Sequence, residues 1–270
     1  VGEVFYIANP GSGLGKSPLG AQFPSEPKVL NTYDGVELSV KKRYSHRWSA
    51  TGSLLWSRLY GNYGGLASSD ENGRTAPNVS RYYDALYLSF DQKGNEANGL
   101  LNTDRPIQFK VQGFYTAPWG TNIGLNFYAR SGTVNSTTVT YQSVPVYVYG
   151  RGDLGRTPFV TQTDLNLTHD FKIKGQTKLT FGANINNVFD QQTVTQIGFV
   201  QYRDALVIPG FPNDPGGAFF QKGGFDTVAI QAARLAASGG ASGGRLSPLY
   251  KLPNAYLGSR SIRLQARLSF

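Results

Sequence analysis

The last ten residues, Ser261 to Phe270, read SIRLQARLSF and alternate apolar with polar side chains up to the final aromatic residue. Successive side chains of an extended strand point to opposite faces, so this alternation predicts a β-strand with one apolar and one polar face. The apolar face carries Ile262, Leu264, Ala266, Leu268 and Phe270. Chain ends are usually polar and poorly ordered unless a sheet holds them. The pattern therefore predicts that this end of the chain is a strand of a sheet.

The same two-residue period recurs in six earlier segments of the chain. Their apolar positions fall within residues 36–40, 48–56, 107–115, 123–129, 165–171 and 179–185. Counted with the residues that flank these apolar positions, each segment runs about 9 to 13 residues, which is longer than the usual globular strand of about 5 to 6 residues and close to the roughly 9 to 11 residues with which a tilted strand crosses a bilayer. A run of about 18 apolar residues, which a membrane-spanning helix needs, does not occur in the sequence.

The connections between these segments alternate in length. Short turns are predicted near residues 44–46, 118–121 and 174–176, and long connections over residues 61–105, 131–159 and 190–259. Outer-membrane barrels join their strands by short periplasmic turns and longer extracellular loops. The fold class predicted is therefore all-β, an antiparallel transmembrane β-barrel segment of about seven or eight strands with long extracellular loops.

Residues 1–270 are expected to form the C-terminal part of one outer-membrane β-barrel, with the earlier strands absent. Residues 1–9 are expected to end a strand that starts before this chain does. Within the long connections, strand extensions are expected at 82–90 and 141–149. Residues 226–237, DTVAIQAARLAA, predict a short helix with Asp226 as its N-cap and Gly239 as its stop.

Composition narrows the function classes. The chain has 33 Gly and no Cys, and only 16% of its residues are charged, against about 25% in ordinary globular domains. The formal net charge is +9, but the basic residues are scattered and accompany no nucleic-acid-binding motif. We therefore expect no nucleic-acid partner. The basic excess suits contact with anionic outer-membrane lipid and lipopolysaccharide.

Three short motifs suggest chemistry that their surroundings do not support. Residues 9–18, NPGSGLGKSP, end like a phosphate-binding loop, but a proline replaces its first glycine and Pro18 excludes the following helix. His46 and His169 lack the spacing of metal ligands, and the turn of a serine nucleophile is absent from the sequence. Arg151-Gly152-Asp153 spells an adhesion tripeptide in a glycine-rich loop. We therefore predict no catalytic residue, metal site, cofactor or enzyme activity.

The polar faces of the predicted strands carry charged and amide side chains. In a wide barrel such a face lines the lumen, where it contacts the plug and solvent. The residues concerned are Lys110, Asn126, Arg130, Asp164, Asp170, Asn184, Asn186, Arg263 and Arg267. Aromatic residues near strand ends are expected at the membrane interfaces. These are Trp48, Trp56, Tyr60, Tyr115, Trp119 and Phe171.

Two segments resemble TonB-dependent outer-membrane receptors. GANINNVFD, residues 182–190, is similar to the Asn-Leu-Phe-Asp element that follows the next-to-last strand of that family. The matching positions are Asn187, Val188, Phe189 and Asp190, with Val188 in place of the commoner leucine. Residues 249–270, LYKLPNAYLGSRSIRLQARLSF, resemble the close of the family and particularly of its Oar-like branch, with Arg260 at the arginine before the final strand. Residues 258–259 and Leu268 depart from the commoner pattern.

The resemblance implies a roughly 22-stranded barrel in the outer membrane of a diderm, Gram-negative bacterium. An N-terminal plug domain would carry a TonB box, and the TonB complex would act through that plug. The plug domain is expected to be absent from residues 1–270. The implied function is import of a scarce solute, with this chain forming barrel wall and extracellular loops. Every second residue back from Phe270 is similar to the signal read by the outer-membrane assembly machinery.

Two other functions fit the residues themselves. One is a structural or adhesive outer-membrane β-barrel without energised transport, which an upstream plug and TonB box would exclude. The other is a soluble carbohydrate-binding β-sandwich, which a requirement for detergent would exclude. The sequence predicts neither the transported substrate nor the ligand-contacting residues.

Overall fold

The computed structural model describes residues 30–62, 96–141, 144–175, 177–205, 227–241 and 243–270 of the chain. These residues form β-strands and a single described helix, α1 (Thr227–Ala237). The strand expected at residues 1–9, the extension at 82–90 and the N-cap Asp226 lie outside the described residues.

The main sheet is built from seven long strands, and every neighbouring pair in it is antiparallel. The strands are β1 (Asn31–Ser45), β2 (Trp48–Gly61), β4 (Ile107–Thr116), β5 (Thr121–Arg130), β8 (Val160–Lys174), β9 (Thr177–Asn186) and β12 (Ser261–Ser269). They are hydrogen-bonded in this order across the sheet, and a short strand, β3 (Gly99–Leu100), also pairs with β2. The seven predicted strands and the all-β class are confirmed. Among the described residues, β1 and β12 are the edges of the sheet.

Short turns join the strands at one end of the sheet, as predicted. His46 and Arg47 connect β1 to β2 with φ angles of 51° and 68°. Two consecutive positive φ angles define the turn type that matches the twist of a two-residue hairpin. Gly120 and Gly175 supply positive φ angles at the next two turns. We call this end of the sheet the turn end.

The two faces of the sheet differ in character. The strand register sets Leu38 opposite Leu54, Leu54 opposite Phe109, and Phe109 opposite Ala129, so that apolar rows cross the strands. Many of these side chains are exposed, and Leu38 is 66% exposed. A contiguous exposed apolar surface of this kind is unusual for a protein surrounded by water. We call this surface the apolar face and the opposite one the polar face.

The buried side chains lie mainly in the long connections at the other end of the strands. Leu101, Val139, Val148 and Tyr202 are all buried there. Two small hairpin sheets add order to these connections. They pair β6 (Thr138–Tyr141) with β7 (Val144–Tyr147), and β10 (Val194–Ile197) with β11 (Pro253–Tyr256). We call the described residues of 96–106, 131–159, 187–205 and 227–260 the loop layer.

Helix α1 ends as the sequence predicts. Gly239 has a φ angle of 61° and donates its N–H to the carbonyl of Ala236 at 3.1 Å. Gly240 donates to the carbonyl of Leu235 at 2.9 Å. This pair of bonds is the Schellman termination, in which a left-handed glycine satisfies the last helical carbonyls. Within the described residues, no helix is long and apolar enough to cross a membrane.

Candidate functional site

The turn after β9 contains the residues predicted as family-motif positions. Asn187 and Asp190 both have positive φ angles, of 52° and 51°. Asparagine and aspartate tolerate this left-handed conformation better than other non-glycine residues. The N–H of Asp190 donates to the carbonyl of Asn187 at 2.9 Å, which closes the turn. The local sequence therefore suits the conformation that it adopts.

Asn187 is only 2% exposed, and its side-chain amide is fully engaged. Its Nδ2 atom donates to the carbonyls of Gln191 at 3.0 Å and Gly258 at 2.8 Å. Its Oδ1 atom accepts a hydrogen bond from the N–H of Gln191 at 3.0 Å. One buried amide thus joins the segment after β9 to the segment before β12.

Asp190 and Arg260 form a second link between the same segments. The backbone N–H of Arg260 donates to Oδ1 of Asp190 at 2.7 Å, and its Nη1 atom lies 3.4 Å from the carbonyl oxygen of Val188. The structure therefore brings Asn187, Val188, Asp190 and Arg260 together, while Phe189 is 69% exposed in the same turn. We call residues 187–190 with Gly258 and Arg260 the β9–β12 clasp.

Asp164 supports the clasp, a role that the sequence pattern did not indicate. Its Oδ1 atom accepts from the backbone N–H of Asn187 and from Nε2 of Gln162, each at 2.8 Å. Its Oδ2 atom accepts from Nδ2 of Asn126 at 3.1 Å. Alternation placed Asp164 on the polar face, but only the pairing of β5, β8 and β9 brings these partners to it.

The strand that ends the chain, β12, pairs with β9 in continuous register from Ser261 opposite Asn186 to Ser269 opposite Lys178. The apolar positions Ile262, Leu264, Leu268 and Phe270 are exposed, with Leu264 at 77% and Phe270 at 96%. Ala266 alternates with them in the same strand and lies opposite Phe181. The geometry therefore places the predicted assembly-signal residues along one exposed face of an edge strand.

Polar side chains interact across the other face. Near the turn end, Oδ1 of Asp170 accepts from Oγ1 of Thr180 at 2.5 Å, and Nζ of Lys178 lies 3.4 Å from Oδ2 of Asp170. A cavity of about 370 Å³ opens beside them. Its lining residues are Thr168, Asp170, Lys178, Thr180, Gln265, Arg267 and Ser269. This surface is therefore a polar, charged face rather than an apolar core.

Both side chains of the tripeptide Arg151-Gly152-Asp153 bind within the protein. Nε of Arg151 donates to the carbonyl of Ala97 at 2.8 Å, and its Nη2 donates to the carbonyl of Asn62 at 3.0 Å. The Asp153 carboxylate accepts from the N–H and the hydroxyl of Thr137, at 2.6 and 2.5 Å. These contacts give the tripeptide a structural role in the loop layer.

An ion pair between Asp204 and Arg245 also lies in the loop layer. Nη2 and Nε of Arg245 donate to the two carboxylate oxygens at 2.7 and 3.0 Å, and the backbone N–H of Arg245 adds a third bond at 3.2 Å. The side-chain hydrogen bonds from Arg245 lower the pKa of Asp204 to about 2. The same contact raises the pKa of Arg245.

Metal-ligating side chains do not cluster in the part of the chain that the structure describes, where no group of three or more His, Asp or Glu residues could hold an ion. His169 lies in β8, as predicted, but on the apolar face between Leu167 and Phe171. Its Nδ1 atom is 2.8 Å from Oγ1 of Thr121, and its ring centre is 4.4 Å from that of Phe171. These contacts explain how a polar ring is accommodated in an apolar row.

Comparison with known proteins adds a sequence similarity to this geometry. Neither a family model nor a solved structure matches the sequence. Among curated proteins, the chain is similar over its whole length to a TonB-dependent transporter. That protein is the TonB-dependent transporter Oar of Myxococcus xanthus, to which the chain is 28% identical over 282 aligned residues. The predicted resemblance to TonB-dependent receptors and their Oar-like branch is thereby confirmed.

The alignment covers 100% of this chain and 24% of the Myxococcus protein. The chain therefore spans about a quarter of the length of the curated relative that it matches.

Proposed function

We propose that this chain forms barrel wall and extracellular loops of a TonB-dependent transporter that imports a scarce solute across the outer membrane of a diderm bacterium. The observation that carries the proposal is the similarity of the whole chain to TonB-dependent transporter Oar. Because the chain corresponds to 24% of that protein, the activity belongs to the longer assembly. In this proposal the chain is the C-terminal part of a roughly 22-stranded barrel.

The two-faced sheet supports a place in the membrane. An exposed apolar face on strands of this length fits contact with lipid chains, and the polar face fits the lumen. Since β-strands in lipid must satisfy all their backbone hydrogen bonds, β1 and β12, the outermost of the described strands, are expected to pair with further strands of a closed barrel. The turn end then faces the periplasm, and the loop layer faces outward.

Each part of the chain has a role in this proposal. Lipid and lipopolysaccharide surround the apolar face, and the outer-membrane assembly machinery reads β12 with Phe270 at its end. The polar face contacts a plug domain, through which the TonB complex drives release of the solute. The chain itself catalyses nothing and holds no cofactor. The energised step belongs to the plug and to TonB.

The proposal is tested by the solutes that cells remove from their medium. Deletion of the gene for the full-length protein and inactivation of TonB should leave the same compound behind, as measured by untargeted mass spectrometry of spent medium. Restoring the gene should restore uptake only in cells with active TonB. If the protein resides in the outer membrane but no compound depends on both genes, a structural or adhesive barrel replaces the transporter.

A further inference from the structure

Three arginines gather at the loop-layer end of β5. Arg130 is the last residue of that strand, and the two carbonyl groups that follow it each receive another guanidinium. Nη1 of Arg105 donates to the carbonyl of Ser131 at 2.6 Å, and Nη1 of Arg156 lies 3.3 Å from that of Gly132. Three cationic groups from three separate segments therefore converge on one short stretch of backbone.

The carboxylates near this cluster do not balance its charge. Asp104, which is 2% exposed, forms an ion pair with Arg156 and also accepts from the N–H of Leu59 at 2.5 Å. Among the described residues, Arg105 and Arg130 have no carboxylate partner. The pKa of Arg105 is lowered mainly by burial and, to a smaller extent, by the positive charge of Arg130. The cluster is thus a partly desolvated site with excess positive charge.

Arg130 also has an unused hydrogen-bond donor. Its Nε atom is buried, and within the described residues it has no hydrogen-bond partner. Its guanidinium carbon lies 5.0 Å from the ring centre of Tyr128, and the hydroxyl of Tyr128 donates to Oε1 of Gln162 at 2.7 Å. The ring is therefore fixed, and it orients the guanidinium that stacks on it. Buried polar groups in native proteins are rarely left unpaired, and a buried charged donor is especially costly to leave so.

We propose that Arg130, with Arg105 beside it, binds a carboxylate or phosphate group of the transported solute. The planar guanidinium presents paired donors that match such oxyanions in a bidentate geometry. Lipid phosphate is excluded as the ligand, because Arg130 alternates with Ala129 and so lies on the polar face, away from the exposed apolar rows. This site deepens the proposed transport function and rests on it, since the polar face is the wall of the solute path.

The test is a calorimetric titration of the full-length receptor, purified in detergent, with succinate and with inorganic phosphate. The wild-type protein should bind at least one of the two probes, and the preferred probe identifies the chemical group. Arg130→Gln should weaken that binding by at least about tenfold, the loss expected for one charge-assisted bond. The affinity of Arg130→Lys should lie between those of the wild type and Arg130→Gln, because lysine keeps the charge but loses the planar donor pair.

Arg58→Gln is the matched control. The guanidinium of Arg58 lies 4.6 Å from the ring centre of Tyr60, so it also stacks on tyrosine, but it lies in line with Trp56 on the apolar face. This variant should bind the probes like wild type. If wild-type protein binds neither probe, or if both arginine variants weaken binding equally, the anion site is refuted.

The anion site and the proposed transport function can be tested separately. Anion binding to the purified receptor needs neither TonB nor an energised membrane. Absence of binding, with TonB-dependent uptake intact, would overturn the anion site alone. Binding that depends on Arg130, in cells whose solute uptake is independent of TonB, would overturn energised transport alone.

Discussion

Nδ2 of Asn187 lies 2.8 Å from the carbonyl oxygen of Gly258, a residue 71 positions further along the chain. Almost all of the last long connection lies between these two residues. One buried side chain therefore holds both ends of that connection together at the point where β9 ends and β12 begins.

Asn187→Asp should weaken the β9–β12 clasp. The substitution keeps the size and the left-handed tolerance of the residue, but it places a carboxylate oxygen against the carbonyls of Gln191 and Gly258. We expect a loss of about 1 to 3 kcal/mol in the free energy of unfolding, which is typical of a buried polar group deprived of its partner. Urea unfolding of the full-length protein in detergent measures it.

Phe189→Ala, in the same turn, is the control for this substitution. Its side chain is 69% exposed, so the free energy of unfolding should change by less than about 0.5 kcal/mol. Equal losses in the two variants would show that the amide of Asn187 does not stabilise the clasp.

Leu264→Arg and Gln265→Arg should have opposite outcomes, although the residues are neighbours. Leu264 is 77% exposed on the apolar face, and Gln265 lies on the polar face beside Arg263 and Arg267. A charge on the lipid side near mid-membrane costs about 2 to 4 kcal/mol, whereas lumen positions tolerate charge. The fraction of heat-modifiable, folded protein in outer-membrane preparations should fall for the first variant only. Equal assembly of the two would refute the assigned faces.

Asp104→Asn should destabilise the junction between the sheet and the loop layer. Asp104 is buried and pairs with Arg156, so the amide would leave that guanidinium without its carboxylate. Breaking a buried pair costs up to about 3 to 5 kcal/mol, and we expect about 2 to 4 kcal/mol here because Arg156 is partly exposed. Thermal unfolding of the full-length protein provides the measurement.

Lys178→Gln offers the comparison for Asp104→Asn. It breaks the more exposed ion pair between Lys178 and Asp170, in which Nζ lies 3.4 Å from Oδ2. The free energy of unfolding should fall by no more than about 1 kcal/mol. A larger loss at Lys178 than at Asp104 would contradict the burial argument.

The contact between Asp204 and Arg245 should persist from neutral pH down to about pH 4. Hydrogen bonds from Arg245 lower the pKa of Asp204 from 3.8 to about 2. A carboxyl group with a lowered folded-state pKa stabilises the protein above its unfolded pKa, and this contribution is lost as the pH falls through the folded value. Protection of the Arg245 amide against hydrogen exchange should therefore decline between about pH 4 and pH 2. Arg245→Gln should show weak protection throughout, and an unchanged profile in that variant would contradict the assignment.

Alternation of apolar and polar side chains was sufficient to predict the seven long strands. The reason is physical: successive side chains of a strand point to opposite faces, so a sheet with one apolar and one polar face requires an apolar residue at every second position. Residues 165–171 illustrate the limit of this reasoning. His169 interrupts the apolar row, and only the opposing β5 strand explains it, through the hydroxyl of Thr121.

The loop layer was far less predictable, because its contacts join residues that are distant in sequence. Alternation predicts for Arg130 only a place lining the lumen, because its association with Arg105 and Arg156 depends on the two long connections that bring those residues to the end of β5. Asp164 likewise gained its role from partners on β5 and after β9. The motif positions Asn187 and Arg260 were found from their resemblance to a family, yet the hydrogen bonds that unite them follow from the pairing of β9 with β12.

The exposure of apolar side chains on the long strands affects which substitutions this protein tolerates. The long strands expose many of their apolar residues, whereas the loop layer has a small apolar core of its own that includes Leu101, Val139 and Val148. In the proposed barrel, greater hydrophobicity is favourable on the apolar face of the sheet and in the core of the loop layer, so one hydropathy scale cannot describe both surfaces. Mutational scans and consensus redesign of this protein therefore need to score an exposed apolar substitution as favourable on the apolar face of the sheet and as unfavourable on the surface of the loop layer. In that barrel, a surface substitution to leucine that would promote aggregation in the loop layer should be tolerated on the apolar face.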